Sequence, residues 1–360
     1  MFEETDQVTV IMGRRTKNFL LASAATLASL LVGIEVAAYL TVPPIHVTSE
    51  GDALVVFDRE IGMIPHPNAY TRRTYPAIKD RATLVFDVYT DERGARVDGP
   101  GRRAAARADI VVVGCSFSWG YALANADTYA SRLAREFGAG VSNFAQPSYG
   151  TVQSLQMLRR NRDLAPKLFI YGIIAHHSER NVSPCAPSYY PFCLDVSHVE
   201  WDRQGRPQIA GPASDGVRRL EHHLTTNFSD PVSWLAHGAD VIYGRIEYDQ
   251  SIWDEPDETK KDEALAFLLR EMERSVAETG SQVLVVFIPT NYWGPSPALA
   301  RMIDEIGGKM RFLDVTDRFK RNREEGGPNV YIVGDGHPSA AAHAIIAEEI
   351  AKYVRREKLL

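Results

Sequence analysis

The sequence predicts an α/β fold in which a parallel β-sheet lies between two layers of helices, a three-layer sandwich. Uncharged apolar runs of strand length recur between residues 109 and 288, as expected for strands that are buried on both faces. Segments with helical periodicity separate these runs, and strands that alternate with helices form parallel sheets covered on both sides. A further apolar run, at 19–42, predicts one N-terminal transmembrane helix before the sandwich.

Length, charge and cysteine content exclude several classes of protein. The chain has 360 residues and a formal net charge of −6. It is long enough to bury a full hydrophobic core without metals or many disulfides. The acidic balance excludes a globally basic nucleic-acid-binding protein. Three cysteines are too few for a disulfide-built scaffold or a cysteine-rich zinc module, and we expect neither a metal nor another cofactor.

The apolar run at 19–42 has the length and the flanking charges of a membrane anchor. As a helix rising ~1.5 Å per residue it measures about 36 Å, enough to cross a ~30 Å hydrocarbon layer. Arg14, Arg15 and Lys17 precede it, and the next basic residue is Arg59. The positive-inside rule then predicts a cytoplasmic tail at 1–18 and an extracytoplasmic main domain. This corresponds to a single-pass protein of a bacterial-type inner membrane that faces the periplasm.

Two other interpretations of this run stay open. Val36-Ala37-Ala38 also fits the small-residue cleavage site that ends a signal peptide. Against cleavage, the run is long for a secretory peptide and carries Glu35 where such sites are usually uncharged. A buried helix of a soluble domain is the third interpretation, and it does not account for the one-sided basic flank.

The elements of the main domain follow in chain order. Residues 43–107 are predicted to form an extended arm or connector, with a turn at Arg93-Gly94. Strands are predicted at 109–114, 141–144, 168–174 and 282–288, with a short fifth strand at 312–313. Helices are predicted at 127–137, 151–162 and 339–354. The domain therefore covers 108–360, and a segment rich in proline, serine and aromatic residues at 176–257 is predicted as an insertion over one end of the sheet.

Residues with catalytic chemistry fall where predicted strands end, which is where open parallel sheets bind ligands. The first strand runs into Ser116. A serine hydroxyl becomes a nucleophile when a base takes its proton and donors hold the oxyanion. Far along the chain, Asp335 stands two residues before His337, where a carboxylate can orient an imidazole and stabilise its protonated form. Alone, each pattern is typical of a turn or a helix N-cap, but together they predict a Ser-His-Asp triad.

These segments resemble the SGNH/GDSL hydrolases, and the resemblance covers roughly residues 85–355. It implies an SGNH-type, flavodoxin-like sandwich and an acyl-transfer reaction with Ser116 as nucleophile, His337 as base and Asp335 as its partner. The segments that carry the resemblance are Gly114-Cys115-Ser116-Phe117 with Trp119-Gly120-Tyr121, then 141–150, and finally Asp335-Gly336-His337-Pro338-Ser339.

The resemblance also implies an oxyanion hole. Its donors are the backbone N–H groups of Ser116 and Ser148 and a side chain that follows the strand at 168–174. His176 aligns with the family's asparagine at that place, and His177 is the alternative; an imidazole N–H can donate a hydrogen bond. The sequence departs from the family pattern at Cys115, where the family has aspartate, at Ser148, where it has glycine, and in the short spacing from Asp335 to the histidine.

The cysteines are expected to differ in role. Cys185 and Cys193 flank a seven-residue loop, and in an extracytoplasmic domain a disulfide between them is expected; the alternative is two unpaired thiols. Cys115 is expected to be buried and free.

The sequence thus predicts a membrane-anchored extracytoplasmic serine esterase or acyl hydrolase, or an O-acyltransferase. Its expected partners are the membrane, through 19–42, and an ester of a carbohydrate or cell-envelope component; nucleic acid is not expected, and no protein partner is indicated. Cys115, Ser148 and His176 motivate one alternative, a catalytically inactive SGNH-like domain that binds a glycan or a partner protein. A cysteine-dependent acyltransferase that uses Cys115 is the other.

Overall fold

The computed structural model describes residues 48–75, 83–101, 107–186, 195–212 and 256–360, together with several helical residues between 18 and 33. The chain divides into two compact units. One comprises Met1–Ile45 and Thr226–Asp249, and the other comprises His46–Thr225 and Gln250–Leu360. All elements named below belong to the second unit.

Most of the predicted anchor at 19–42 and nearly all of the predicted tail at 1–18 lie outside the described residues. Within the anchor, Phe19, Leu21 and Leu30 are helical and exposed. Among the residues that the structure describes, no helix combines the length and the apolar character needed to cross a membrane. The anchor stays a prediction from the sequence.

The strands and helices of the second unit are as follows. The strands are β1 (Thr48–Gly51), β2 (Val55–Asp58), β3 (Gly62–Pro65), β4 (Tyr70–Tyr75), β5 (Leu84–Thr90), β6 (Arg96–Val97), β7 (Ile110–Gly114), β8 (Val141–Asn143), β9 (Leu168–Ile173), β10 (His198–Trp201), β11 (Pro207–Ala210), β12 (Gln282–Phe287) and β13 (Met310–Asp314). The helices are α1 (Ser116–Trp119), α2 (Tyr129–Phe137), α3 (Thr151–Arg160), α4 (His177–Val182), α5 (Glu258–Ala277), α6 (Pro297–Ile306), α7 (Thr316–Glu324) and α8 (Ala340–Glu357).

Nine of these strands form one mixed sheet in the order β1-β4-β5-β6-β8-β7-β9-β12-β13. From β8 to β13 all neighbours run parallel, so the predicted parallel sheet is confirmed for these five strands. The first four strands join it antiparallel. The region predicted as a connector, 43–107, therefore extends the sheet. Its strands β4 and β5 mix polar and buried positions, which suits antiparallel strands with one covered face.

The sheet separates two hydrophobic cores, and alternate residues of β7 face each of them. Val111 and Val113 pack with residues of α3, α5 and α6. Ile110 and Val112 pack with residues of α2, α7 and α8. This alternation is the period-two geometry of a strand, and it accounts for the uncharged run that predicted β7. The helices lie on both faces of the central sheet, as the α/β alternation predicts.

Five of the helices that the structure describes were not predicted: the single-turn α1, then α4, α5, α6 and α7. The longest, α5, directly follows the region assigned to the insertion. Asp257 caps it by accepting a 2.9 Å hydrogen bond from the backbone N–H of Lys260, the usual arrangement at a helix N-terminus. Within the predicted insertion the structure shows α4 and the β10–β11 hairpin, while 213–255 lies outside the described residues.

Candidate active site

The end of β7 presents Ser116 at the carboxyl edge of the parallel strands. Gly114 ends the strand at φ +145°, where an added Cβ would lie 2.7 Å from the Gly172 carbonyl oxygen and from Ser118 Oγ. Only glycine fits this crossing without displacing its neighbours. Cys115 is fully buried at the N-cap of α1, and Ser116 opens the helix at 6% exposure.

The three residues predicted as a triad form one hydrogen-bonded line. His337 Nε2 lies 2.9 Å from Ser116 Oγ, and His337 Nδ1 lies 2.6 Å from Asp335 Oδ1. Both distances are within ordinary hydrogen-bond range. The histidine side chain is 24% exposed and the aspartate side chain 11%. The serine, the imidazole and the carboxylate thus stand in the order that acyl transfer requires.

A tight loop allows the short spacing between aspartate and histidine. Gly334 and Gly336 adopt positive φ angles of 70° and 87°, which are costly for other residues. The same Asp335 Oδ1 also accepts the backbone N–H of His337 at 3.2 Å. The loop is closed by the 2.8 Å hydrogen bond from the Ile332 N–H to the His337 carbonyl. With this geometry, two residues of separation are enough for the carboxylate to reach the ring.

Ser148 occupies a turn position that normally belongs to glycine. Its φ is 72° and it is 6% exposed. The turn spans 146–149, with Pro147 as its second residue, and is closed by a 3.2 Å hydrogen bond from the Tyr149 N–H to the Gln146 carbonyl. This fits a type II turn, in which the third residue has a positive φ. Gln146 in turn donates to the Gly114 carbonyl at 3.0 Å. The predicted oxyanion turn therefore lies against the end of the nucleophile's strand.

His176, predicted as the third oxyanion donor, faces solvent instead. Its side chain is 55% exposed, and its Nδ1 lies 3.4 Å from Glu179 Oε2. This hydrogen bond lowers the pKa of the Glu179 carboxyl. His176 is the N-cap of α4, so its ring meets the first turn of that helix. The side chain of His176 contacts Glu179, and no described hydrogen bond joins it to Ser116, which does not support the predicted role.

The alternative donor, His177, is a core residue. It is fully buried, and its Nδ1 lies 2.6 Å from the Tyr171 hydroxyl. Burial holds the pKa of His177 well below its usual range. The asparagine of this segment, Asn181, caps α3 by accepting the Thr151 N–H at 2.7 Å. The segment after β9 thus supports the helix behind the oxyanion turn.

Two residues that sequence reasoning missed contact the site. The Tyr121 ring stacks on the His337 ring with centroids 4.1 Å apart at 24°. Arg96 is 4% exposed and donates to the carbonyls of Trp119 and Gly120 at 2.8 and 2.7 Å. Tyr121 belongs to the motif around the nucleophile, so its proximity could have been anticipated. No sequence pattern indicates that the side chain of Arg96, on strand β6, reaches these two carbonyls.

The cysteines are placed as follows. Cys115 is free and buried. Cys185 is disulfide-bonded, while its expected partner, Cys193, lies outside the described residues. Within the described ranges, no group of three or more histidine, cysteine, aspartate or glutamate side chains is arranged to hold a metal ion.

No family model matches the sequence, and no curated protein matches it. The structure is similar to TesA, at 16% identity over 70% of this chain and 99% of that one, with a TM-score of 0.37. A carbohydrate esterase family 2 enzyme with a carbohydrate-binding domain, from Corynascus thermopiles (Myceliophthora fergusii), is 14% identical over 87% of this chain and 88% of that one, with a TM-score of 0.38.

The psychrotrophic esterase EstA from Pseudoalteromonas sp. is 10% identical over 69% of this chain and 97% of that one, with a TM-score of 0.35. A lipolytic protein of the G-D-S-L family from Desulfitobacterium hafniense is also similar in structure. The TM-scores of these neighbours are all below 0.5. The chemistry of the site therefore rests on its own geometry.

Proposed function

We propose that this chain is an SGNH-type serine esterase or O-acyltransferase that works through Ser116, His337 and Asp335. The observation that carries the proposal is the continuous line from Ser116 Oγ through the His337 ring to Asp335, at 2.9 and 2.6 Å. A serine that only packs in a turn needs no such alignment with an imidazole and a carboxylate.

The proposed reaction begins with proton transfer from the serine. Asp335 accepts the Nδ1–H of His337, which leaves the Nε2 lone pair directed at the Ser116 hydroxyl. As Oγ attacks the ester carbonyl carbon, Nε2 takes its proton, and Asp335 stabilises the imidazolium. The tetrahedral adduct collapses, the C–O bond to the alcohol breaks, and His337 protonates the leaving oxygen. Water or an acceptor hydroxyl then attacks the acyl-serine, again giving its proton to Nε2, and Ser116 is regenerated.

The negative charge on the carbonyl oxygen needs fixed donors. We assign this role to the backbone N–H groups of Ser116, at the start of α1, and of Ser148, in the turn beside β7. Removing one such donor typically costs ~10²–10³ in kcat. With His176 turned toward Glu179, the proposal relies on two donors from the protein, and a slow or specialised enzyme is expected.

As substrate we propose an ester of a carbohydrate or cell-envelope component. This proposal follows from the predicted anchor at 19–42, which would hold the domain at the outer face of a membrane. The choice between water and a sugar hydroxyl as acceptor decides between hydrolase and transferase.

A fluorophosphonate probe tests the nucleophile directly, because it phosphonylates an activated serine. We expect the wild type to be labelled and to hydrolyse short p-nitrophenyl esters, and Ser116→Ala to do neither. Cys115→Ala is the matched control and is expected to keep both properties. Folded wild type that shows neither labelling nor turnover would instead support the inactive binding domain. Turnover that survives Ser116→Ala and disappears in Cys115→Ala would support a cysteine nucleophile.

A further inference from the structure

Two aromatic side chains contact the ring of His337. Tyr121 stacks on it, with centroids 4.1 Å apart and planes 24° apart. Phe117 also approaches the ring, with centroids 5.3 Å apart at an angle of 51°. An imidazole that reaches both a serine and a carboxylate has to keep its side-chain torsions within a narrow range. Stacking on Tyr121 restricts rotation of the imidazole ring at its face, where neither hydrogen bond acts.

Tyr121 is itself fixed by strands that precede the nucleophile in the chain. Its ring lies 5.4 Å from the Tyr75 ring on β4 and 5.8 Å from the Phe86 ring on β5. Burial, followed by the charge of Tyr75, raises the pKa of Tyr121. Arg73 donates a 3.0 Å hydrogen bond to the Tyr75 hydroxyl. The ring that stacks on His337 is thus itself packed against aromatic side chains of β4 and β5.

The backbone that carries Tyr121 is fixed by a buried cation. Arg96, on β6, donates to the carbonyls of Trp119 and Gly120 at 2.8 and 2.7 Å and to the carbonyl of Leu123. Its guanidinium also lies 4.6 Å from the centre of the Trp119 ring, within the range of a cation–π contact. Three carbonyls around Tyr121 therefore depend on one side chain from the antiparallel part of the sheet.

We infer that Tyr121 is a positioning residue for His337, supported by Tyr75, Phe86 and Arg96 from the antiparallel extension of the sheet. The inference rests on the proposed function. The extension supplies side chains that keep the base aligned between Ser116 and Asp335. Misplacement of a catalytic group by about 1 Å can cost ~10²-fold in rate, so loss of the stack should lower turnover while leaving the substrate's binding contacts in place.

Three variants test the inference: Tyr121→Leu, Tyr121→Phe and, as matched control, Tyr89→Leu. Tyr89 stacks on Tyr70 at 4.9 Å in the same antiparallel strands. The active fraction of each protein is titrated with the fluorophosphonate, so that kcat is expressed per reactive serine. A purely structural role changes the melting temperature and the active fraction without changing kcat per site.

We expect Tyr121→Leu to lower kcat per site by about 10–100-fold, with KM changed less than about threefold, because alignment is lost and binding is not. Tyr121→Phe keeps the ring and should stay within about threefold of wild type, as should Tyr89→Leu. Diethyl pyrocarbonate provides a readout that is independent of turnover. Peptide mapping should show faster modification of His337 in Tyr121→Leu than in wild type or Tyr121→Phe.

Equal kcat per site in wild type and Tyr121→Leu would overturn the inference, and so would unchanged modification of His337. An equal loss in the Phe and Leu variants would assign the effect to the hydroxyl and would also overturn the role of the stack. Failure of the proposed function looks different, since the wild type itself would then be neither labelled nor active.

Discussion

Asp335 and His337 form a unit that is complete within three residues. One carboxylate oxygen, Oδ1, accepts both the ring Nδ1–H and the backbone N–H of the histidine, at 2.6 and 3.2 Å. The ring is therefore held by the same loop that carries it. No distant strand has to bring the carboxylate into place.

Replacement of Asp335 by asparagine tests this unit. An asparagine amide can donate to Nδ1, which favours the tautomer with the proton on Nε2, and that nitrogen can then no longer accept from Ser116. We expect Asp335→Asn to lower kcat by about 10³–10⁴-fold with little change in KM. Steady-state hydrolysis of a p-nitrophenyl ester measures both values. Asp317→Asn, at an aspartate whose side chain is 81% exposed, is the control, and equal losses in the two variants would refute the role of Asp335.

At this scale the sequence predicts residues that follow from local motifs and misses those set by tertiary packing. Ser116, Asp335 and His337 could be predicted because each stands in a short motif at a strand end or before a helix. The outward orientation of His176 depends on where α4 begins, which no motif marks. The stack of Tyr121 on the histidine depends on two strands that are distant in sequence.

A close crossing between β7 and β9 positions the helix that carries the nucleophile. Gly114 and Gly172 are register partners on these strands. A Cβ at residue 172 would lie 1.9 Å from Ser118 Oγ and 3.2 Å from Ser118 Cβ. Helix α1 packs directly over this glycine, so Gly172 sets the height of Ser116 above the sheet.

We therefore expect Gly172→Ala to push α1 away from β9. Overpacking of this kind typically costs about 1–3 kcal/mol of stability, and the displaced Ser116 should react more slowly with a fluorophosphonate. Urea unfolding and the labelling rate measure the two effects. Gly99→Ala, at a site with no atom within 4 Å of the added Cβ, is the control. Wild-type stability and labelling in Gly172→Ala would contradict the expectation.

The elements that the sequence predicts correctly are those marked by one clear residue pattern, such as a continuous apolar run or a helix cap. Strands β7, β9 and β12 are continuous apolar runs because helices cover both faces, and α8 follows the serine cap at Ser339. Strands β4 and β5 carry charged residues among apolar ones, such as Arg72 and Asp87, and so resemble a solvent-exposed connector. Only their pairing with each other and, through β6, with β8 shows that they belong to the sheet.

At the scale of the whole molecule, two histidines outside the triad are fully buried in the part of the chain that the structure describes: His177 and His343. Burial, followed by the charge of Arg96, lowers the pKa of His343 to about 3 from an ordinary value of 6.5. His343 Nδ1 accepts the Tyr129 N–H at 3.0 Å, so protonation there would place two donors against each other. Burial likewise holds the pKa of His177 well below its usual range.

These depressed pKa values predict acid sensitivity of the fold. Below about pH 6.5, each of these histidines binds a proton in the unfolded chain but not in the folded chain. The free energy of unfolding therefore falls as the pH falls. The slope is about 1.4 kcal/mol per pH unit for each residue. Between pH 7.5 and pH 5, the titration of His343 should cost about 2 kcal/mol of stability, and that of His177 lowers the stability in the same direction.

Urea unfolding at these two pH values, for wild type and His343→Gln, measures the effect. The glutamine carbonyl can replace Nδ1 as acceptor and does not titrate. We expect the variant to lose less stability on acidification, by about 2 kcal/mol. An identical pH dependence in both proteins would show that His343 does not titrate as proposed.

The order of the triad along the chain sets when the site becomes complete. His337 follows Ser116 by 221 residues. At ~5–20 residues added per second, a ribosome needs roughly ten to forty seconds to travel from the nucleophile to its base. During that interval the emerging chain carries a serine with no proton acceptor. The proposed reactivity toward esters would therefore arise late in synthesis, once the turn before α8 has been made and has docked against the strands already formed.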